Sequence, residues 1–275
     1  MFEEKLVELL PIALALIAAG GIAGFLAGLL GVGGGIVIVP VLYNLLPLMQ
    51  VPEESRMHIA VATSLATIIA TSISSVRAHH QRGGIDMALV KRIAPYIFTG
   101  AVLGAALGGK ISSDFMAGLF AVIALLVAIK VAFGSDSQVI TSSFPTGLGG
   151  GAIGLSVGSV SVLMGIGGGT LGVPILTSCN VPIRRAVGTA STFGFLIAIP
   201  GVIGFILSGW NTPNLPYGNI GYVNLIGVAL IIPMTTFIAP FGAKFAHIIK
   251  PSLLRYAFAG FLTLTALRMG YSLFI

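Results

Sequence analysis

The feature that most restricts this chain is a glycine-rich stretch that occurs twice. Gly31-Val-Gly-Gly-Gly-Ile-Val-Ile-Val-Pro-Val-Leu42 returns as Gly165-Ile-Gly-Gly-Gly-Thr-Leu-Gly-Val-Pro-Ile-Leu176, 134 residues later (165 minus 31). Both copies lie in long apolar sequence. Three glycines in a row form helix poorly there, because glycine gives up the most backbone entropy on ordering, about 1 kcal/mol per residue relative to alanine. A break that recurs in register implies that the backbone itself is used at that point. The pair is read as a binding place for a small anion inside a membrane.

Composition supplies the membrane. Of the 275 residues, 56% are hydrophobic and 8% charged, against about 25% charged in a soluble domain. The fold class expected is an all-α polytopic membrane protein with about eight hydrophobic segments, each of ~20 residues. A transmembrane β-barrel would need alternating segments of about ten residues, and these are absent. The net charge of +6 does not imply nucleic acid, since the basic residues stand singly or in pairs at segment ends, with no cluster or interleaved aromatics. A single cysteine, Cys179, excludes an intrachain disulfide and a multi-cysteine metal site. His58, His79, His80 and His247 lie at segment ends without an H-E-x-x-H pattern and are expected at the interfaces. Neither a metal nor a cofactor is expected. The start, Met1-Phe-Glu-Glu-Lys, lacks the basic region of a cleaved signal peptide.

Two halves are expected, a first repeat over 1–134, a linker over 135–145 and a second repeat over 146–275. Leu9–Leu30 is uncharged and carries Gly20, Gly24 and Gly28 on one helix face, a small-residue pattern for close packing. After the break, Ile36–Met49 is short, so Leu9–Met49 reads as a broken or re-entrant hairpin, with two full crossings as the other possibility. Spans follow at 59–76, 93–109 and 115–133, the second with Gly100, Gly104 and Gly108 on one face. The second half repeats this order: Gly150, Gly154 and Gly158, the break, then spans at 186–209, 222–243 and 256–274. An uncharged loop, 210–221, lies between the first two of these spans. Ala60-Val-Ala-Thr63-Ser64 is echoed by Ala186-Val-Gly-Thr189-Ala-Ser191, and Gly108-Gly-Lys110 by Gly242-Ala-Lys244.

Charge indicates how the halves face. Lys and Arg favour the cytoplasmic side. The loop at 77–92 holds Arg77, Arg82, Lys91 and Arg92, while its counterpart at 210–221 holds none; Arg184 and Arg185 stand opposite a loop that has only Arg56. The bias alternates loop by loop, as inverted-topology repeats require. Placing 77–92, 130–136, 184–185 and 244–255 inside puts ten of the 14 Lys and Arg there, and both termini outside.

The candidate site follows. N–H groups at Gly33, Gly34 and Gly35, and at Gly167, Gly168 and Gly169, can face a ligand unobstructed. They open short helices expected to start near Ile36 and Thr170, and a helix N-terminus offers free donors and positive potential to an anion. Close helix packing is the ordinary use of such glycines, but a symmetric pair favours a site. A nucleotide loop would need Lys-Ser/Thr after the last glycine; Ile36 and Thr170 stand there. Thr63, Ser64 and Thr67 in one half, and Thr189, Ser191 and Thr192 in the other, open equivalent spans and can donate to oxyanion oxygens; bonding to their own helix is the alternative. No Asp or Glu lies within a span, which argues against a carboxylate-based cation relay and against an enzyme. Lys130 and Arg268 lie within spans and are expected to snorkel, with an anion relay as the alternative.

The G-[VI]-G-G-G-x₄-P break in each half, Ala60-x-x-Thr63-Ser64 and the Gly-x-Lys loops resemble the TauE/SafE sulfite exporter family, also called the TSUP or 4-toluene sulfonate uptake permease superfamily. The resemblance spans about residues 15–275. It implies a secondary transporter, an exporter working by alternating access, that moves small sulfur-containing anions such as sulfite, sulfoacetate or related sulfonates across the cytoplasmic (inner) membrane. It implies membrane lipid as a surrounding partner and no nucleic acid. Any role for a basic residue is carried only to Arg185, because His58 stands at the matching place in the first half. An anion channel and a non-transporting scaffold subunit are the alternative readings.

Overall fold

The computed structural model describes residues 2–30, 34–133, 141, 143–245 and 251–273. Ten helices lie among them: α1 (Phe2–Leu30), α2 (Gly35–Leu45), α3 (Glu53–Gln81), α4 (Met87–Gly108), α5 (Ser113–Phe133), α6 (Gly147–Met164), α7 (Gly168–Ser178), α8 (Ile183–Gly209), α9 (Leu225–Phe245) and α10 (Pro251–Tyr271). Seven of them, α1, α3–α6, α8 and α9, are long and apolar enough to cross a membrane. Much of the linker expected at 135–145 falls outside the described residues. The loop at 210–221 contributes β1 (Asn219–Ile220), which pairs antiparallel with β2 (Val223–Asn224). That ribbon feeds α9 directly, a detail that hydropathy does not reveal.

α3 and α8 form the centre. Their contacts run in opposite senses, with Gly194 beside Ser72 and Ile68, and Gly201 beside Leu65. Leu65, Ile68, Phe193, Ile197, Ala198 and Phe205 are buried there. Around this pair α1 lies along α9, and α4 along α6, through the small-residue faces. Gly20 meets Ile231, Gly24 meets Thr235, Gly100 meets Leu155 and Gly104 meets Ser159. A Cβ on Gly24 would sit 2.7 Å from the Thr235 backbone, so the two helices touch main chain to main chain. Outward positions such as Leu103, Leu126, Phe237 and Leu264 carry large exposed apolar side chains, the expected face toward lipid tails.

The short helices fold back. The Thr141 amide donates to the Ser178 carbonyl at 3.2 Å, which ties the chain entering α6 to the end of α7. α6 and α7 therefore make a hairpin whose two ends lie at one end of the bundle, beside the start of α4, where Gly188 meets Gly84. α1 and α2 do the same at the opposite end. There the Tyr43 hydroxyl lies 3.4 Å from Ser272 Oγ at the end of α10, and the Met57 amide donates to Ser113 Oγ at the start of α5. Each hairpin thus joins a helix long enough to cross a membrane, α1 or α6, to a helix of only 11 residues, α2 or α7.

Candidate functional site

The hairpin tips meet. A Cβ on Gly35 would lie 2.5 Å from the Gly165 carbonyl oxygen, 2.9 Å from Ile68 Cδ1 and 3.0 Å from Ser64 Oγ. Ser64 Oγ donates to that same Gly165 carbonyl at 2.7 Å. The first copy of the glycine stretch thus rests on the second, with α3 as the wall between them. α6 ends in a turn that needs glycine: Gly165 has φ +65°, its amide donates to Val162 O, and the Ile166 amide donates to Ser161 O. This is the paired 6→1 and 5→2 closure that satisfies a helix's last carbonyls. Gly167 then turns extended, at φ −75° and ψ 167°, and α7 begins at Gly168, two residues before the expected Thr170. α2 begins at Gly35, one residue before the expected Ile36.

At both tips the backbone donors are left over. The N–H groups of Gly34, Gly35 and Ile36, and of Gly167, Gly168 and Gly169, make no hydrogen bond among the described residues. All six residues are buried, and buried backbone donors are paired in more than nine cases in ten. Neither short helix has a side-chain cap to absorb them. Thr170, fully buried beside them, has a hydrogen-bonding partner of its own. One turn before the second break, Ser161 Oγ is at 0% exposure with no hydrogen-bond partner. An unpaired buried hydroxyl costs about 1–3 kcal/mol, so the tips and the turn before the second one concentrate polar atoms that make no hydrogen bond among the described residues. Sequence reasoning missed Ser161. A lone serine among glycines and valines carries no pattern, and only its depth in the bundle gives it meaning.

The structure gathers Gly34, Gly35, Ser64, Gly167, Gly168, Gly169 and Thr170 around the tips. Gly33 lies outside the described residues. The other expected donors point elsewhere. Thr63 Oγ1 accepts from the Asn224 amide and Thr189 Oγ1 from the Asp86 amide, each at 3.0 Å. Asn224 and Asp86 are in turn the caps of α9 and α4, their Oδ1 atoms accepting from the amides of Gly227 and Leu89. The two threonines therefore use their hydroxyls to hold helix starts. A cap signal was present in the sequence, a short polar acceptor just ahead of an apolar run, but not its pairing with a threonine more than a hundred residues away. Ser191 Oγ donates to Gly188 O and Thr192 Oγ1 to Thr189 O within their own helix, and Thr67 Oγ1 to Ser64 O.

Arg185 is separated from the tips by the length of α7, 11 residues or about 16 Å. It lines a cavity of about 570 Å³ at the end of the bundle. Aligned on Thr63 and Thr189, which make equivalent contacts, His58 matches Arg184 rather than Arg185, each standing the same distance before its threonine. His58 is buried, not interfacial: its ring nitrogens lie 2.9 Å from Glu54 O and 3.0 Å from Ile111 O, and it stacks on Tyr222 at 4.8 Å between centroids. Lys130 does not snorkel freely. Its Nζ donates to Pro174 O and Ser178 Oγ, at 3.2 and 2.8 Å, on the last turn of α7, where the helix dipole is negative. Among the described residues no cluster of His, Cys, Asp and Glu can hold a metal ion.

Residues 16–269 match the model of a family described as sulfite exporter TauE/SafE. A probable membrane transporter protein of Haemophilus influenzae is 37% identical over 250 residues, covering 91% of this chain and 95% of that protein. One from Methanocaldococcus jannaschii is 29% identical, covering 97% of each chain, and one from Bacillus subtilis is 27% identical, covering 85% of this chain and 90% of its own. No solved structure matches the chain.

Proposed function

The chain belongs to the sulfite exporter TauE/SafE family of multi-pass membrane proteins, and from that membership we propose that it is a secondary transporter that exports a small sulfur-containing anion, such as sulfite or an organosulfonate, through the meeting point of its two glycine breaks. One observation carries the reading: buried N–H groups that make no hydrogen bond among the described residues come together at the two hairpin tips beside Ser64, with the unpartnered Ser161 hydroxyl close by in sequence. Oxyanions accept several hydrogen bonds at once, and a helix N-terminus in low dielectric favours their charge.

The two halves act as inverted-topology repeats. Antiparallel contact of α3 with α8, and of the α5 start (Gly118) with Leu273 just beyond α10, supports this, as do hairpins that open at opposite ends. Repeats so arranged alternate access by rocking one half against the other around a fixed central site. The Arg- and Lys-rich end faces the cytoplasm of an inner membrane, and both termini face away from it.

Uptake of labelled sulfite or sulfoacetate into proteoliposomes tests the reading. Saturable, counter-flow-competent flux is expected; flux that tracks driving force without saturation would instead indicate a channel. Ser161→Ala separates binding from folding. Removing an unpaired hydroxyl should leave the melting temperature equal or raise it, while transport at low anion concentration falls about tenfold, the value of one hydrogen bond to a charged group. Undiminished transport in that variant, with no anion-dependent thermal shift in the parent, would sink the proposal.

A further inference from the structure

The cavity that contains Arg185 has a second cation that the family motifs do not mark. Arg92, on the first turns of α4, lines the same space of about 570 Å³, together with Ser143, Thr146, Asn180 and Cys179. Its Nη2 donates to Phe144 O at 3.3 Å, and its guanidinium carbon lies 5.6 Å from the centre of the Phe144 ring. The side chain is therefore held in place by a carbonyl and an aromatic face, neither of which neutralises it. Among the described residues, neither Arg92 nor Arg185 has a carboxylate partner. Asp86, the one carboxylate in the wall, already uses Oδ1 to cap α4. Two guanidinium groups that form no ion pair among the described residues thus line one cavity, with hydroxyls and an amide on the same wall, the kind of lining that suits a small oxyanion.

We propose that this cavity is an outer anion site, in which Arg92 and Arg185 hold a soluble sulfonate or sulfite before it moves along α7 to the hairpin tips. The proposal rests on the transporter reading above. A phosphate headgroup shares the tetrahedral oxyanion chemistry, so lipid is the competing source.

Cys179 makes the site readable without transport. It is the only cysteine in the chain and sits in the cavity wall at 7% exposure. In purified protein, sulfoacetate should slow alkylation of Cys179 by the neutral reagent N-ethylmaleimide. Ser143→Cys in a Cys179→Ala background gives the same readout from an exposed part of the wall should the native thiol react too slowly. Arg92→Gln and Arg185→Gln should each require about tenfold more anion for the same protection, while a variant blocked at the tips, Gly167→Val, should be protected as the parent is. Equal protection in the arginine variants, or none at either cysteine in the parent, overturns the proposal. Protection by vesicles containing anionic phospholipid, but not by soluble sulfoacetate, also overturns it and assigns a headgroup site. Failure of transport in Gly167→Val with protection intact counts for the central site alone, so the two readings fail separately.

Discussion

Gly167→Val is expected to abolish transport while leaving the protein folded. At Gly167 the backbone is extended, with φ −75° and ψ 167°, a conformation valine adopts readily. An added Cβ would meet only Ile68 methyl carbons, at 3.6 and 3.9 Å, which is ordinary contact. The γ carbons then add bulk at the α7 N-terminus, where the amides of Gly167, Gly168 and Gly169 have no acceptor among the described residues. An anion displaced from two or more such donors loses at least about a hundredfold in binding, given ~1.5–3 kcal/mol for each hydrogen bond to a charged group. The measurement is initial uptake rate beside the melting temperature of the same preparation. Normal flux in a well-folded Gly167→Val protein would remove the tips from the transport path. The neighbouring glycine is a poorer probe. A Cβ on Gly168 would press on the Phe193 side chain and the Ala190 carbonyl, and α7 would have to leave α8.

The largest effect on stability is expected at Gly100→Leu. A Cβ there would drive into the Leu155 carbonyl and Cα, so α4 and α6 would have to separate along their whole contact. Overpacking against side chains costs about 1–3 kcal/mol because rotamers adjust; backbone cannot rotate away, and a cost above about 4 kcal/mol belongs to this class. Little monodisperse protein should survive detergent extraction. Gly260→Ala provides the contrast, since a Cβ at that α10 position meets nothing within 4 Å. It should melt at the same temperature or higher, because alanine gains up to about 1 kcal/mol over glycine in a helix. Similar yields for the two variants would show that the small-residue faces do not hold the bundle together.

The breaks were legible because three glycines in apolar sequence violate helix propensity, and a violation that recurs in register points to its own use. The helix starts fell within two residues of expectation for the same reason, and the small-residue faces at Gly20–Gly24 and Gly100–Gly104 pack as their spacing implied. What stayed hidden was direction around the helix axis. Ser64 and Thr63 are adjacent in sequence, yet one reaches the Gly165 carbonyl and the other the Asn224 amide. Successive residues on a helix point about 100° apart, so which hydroxyl meets the breaks depends on where α9 begins, and no local pattern encodes that. Arg185 failed to join the glycines for a related reason. The sequence places it close after the break, but α7 carries the chain a full helix length away before α8 begins.

The threonine contacts have a consequence for how the chain becomes one object. Thr63, in the first half, holds the start of α9 in the second, and Thr189, in the second, holds the start of α4 in the first. Each half supplies the clasp for the other and lacks its own. During synthesis α4 can lie along α6 as soon as that helix is made, but its start waits for the Thr189 clasp until α8 follows. Unfolding should accordingly be a single event, without an intermediate in which one half survives. A chain severed between α5 and α6 would keep both clasps, so two fragments made separately should assemble into a working whole. The polypeptide link between the halves keeps them at high local concentration, and the interlock itself is written in the helices.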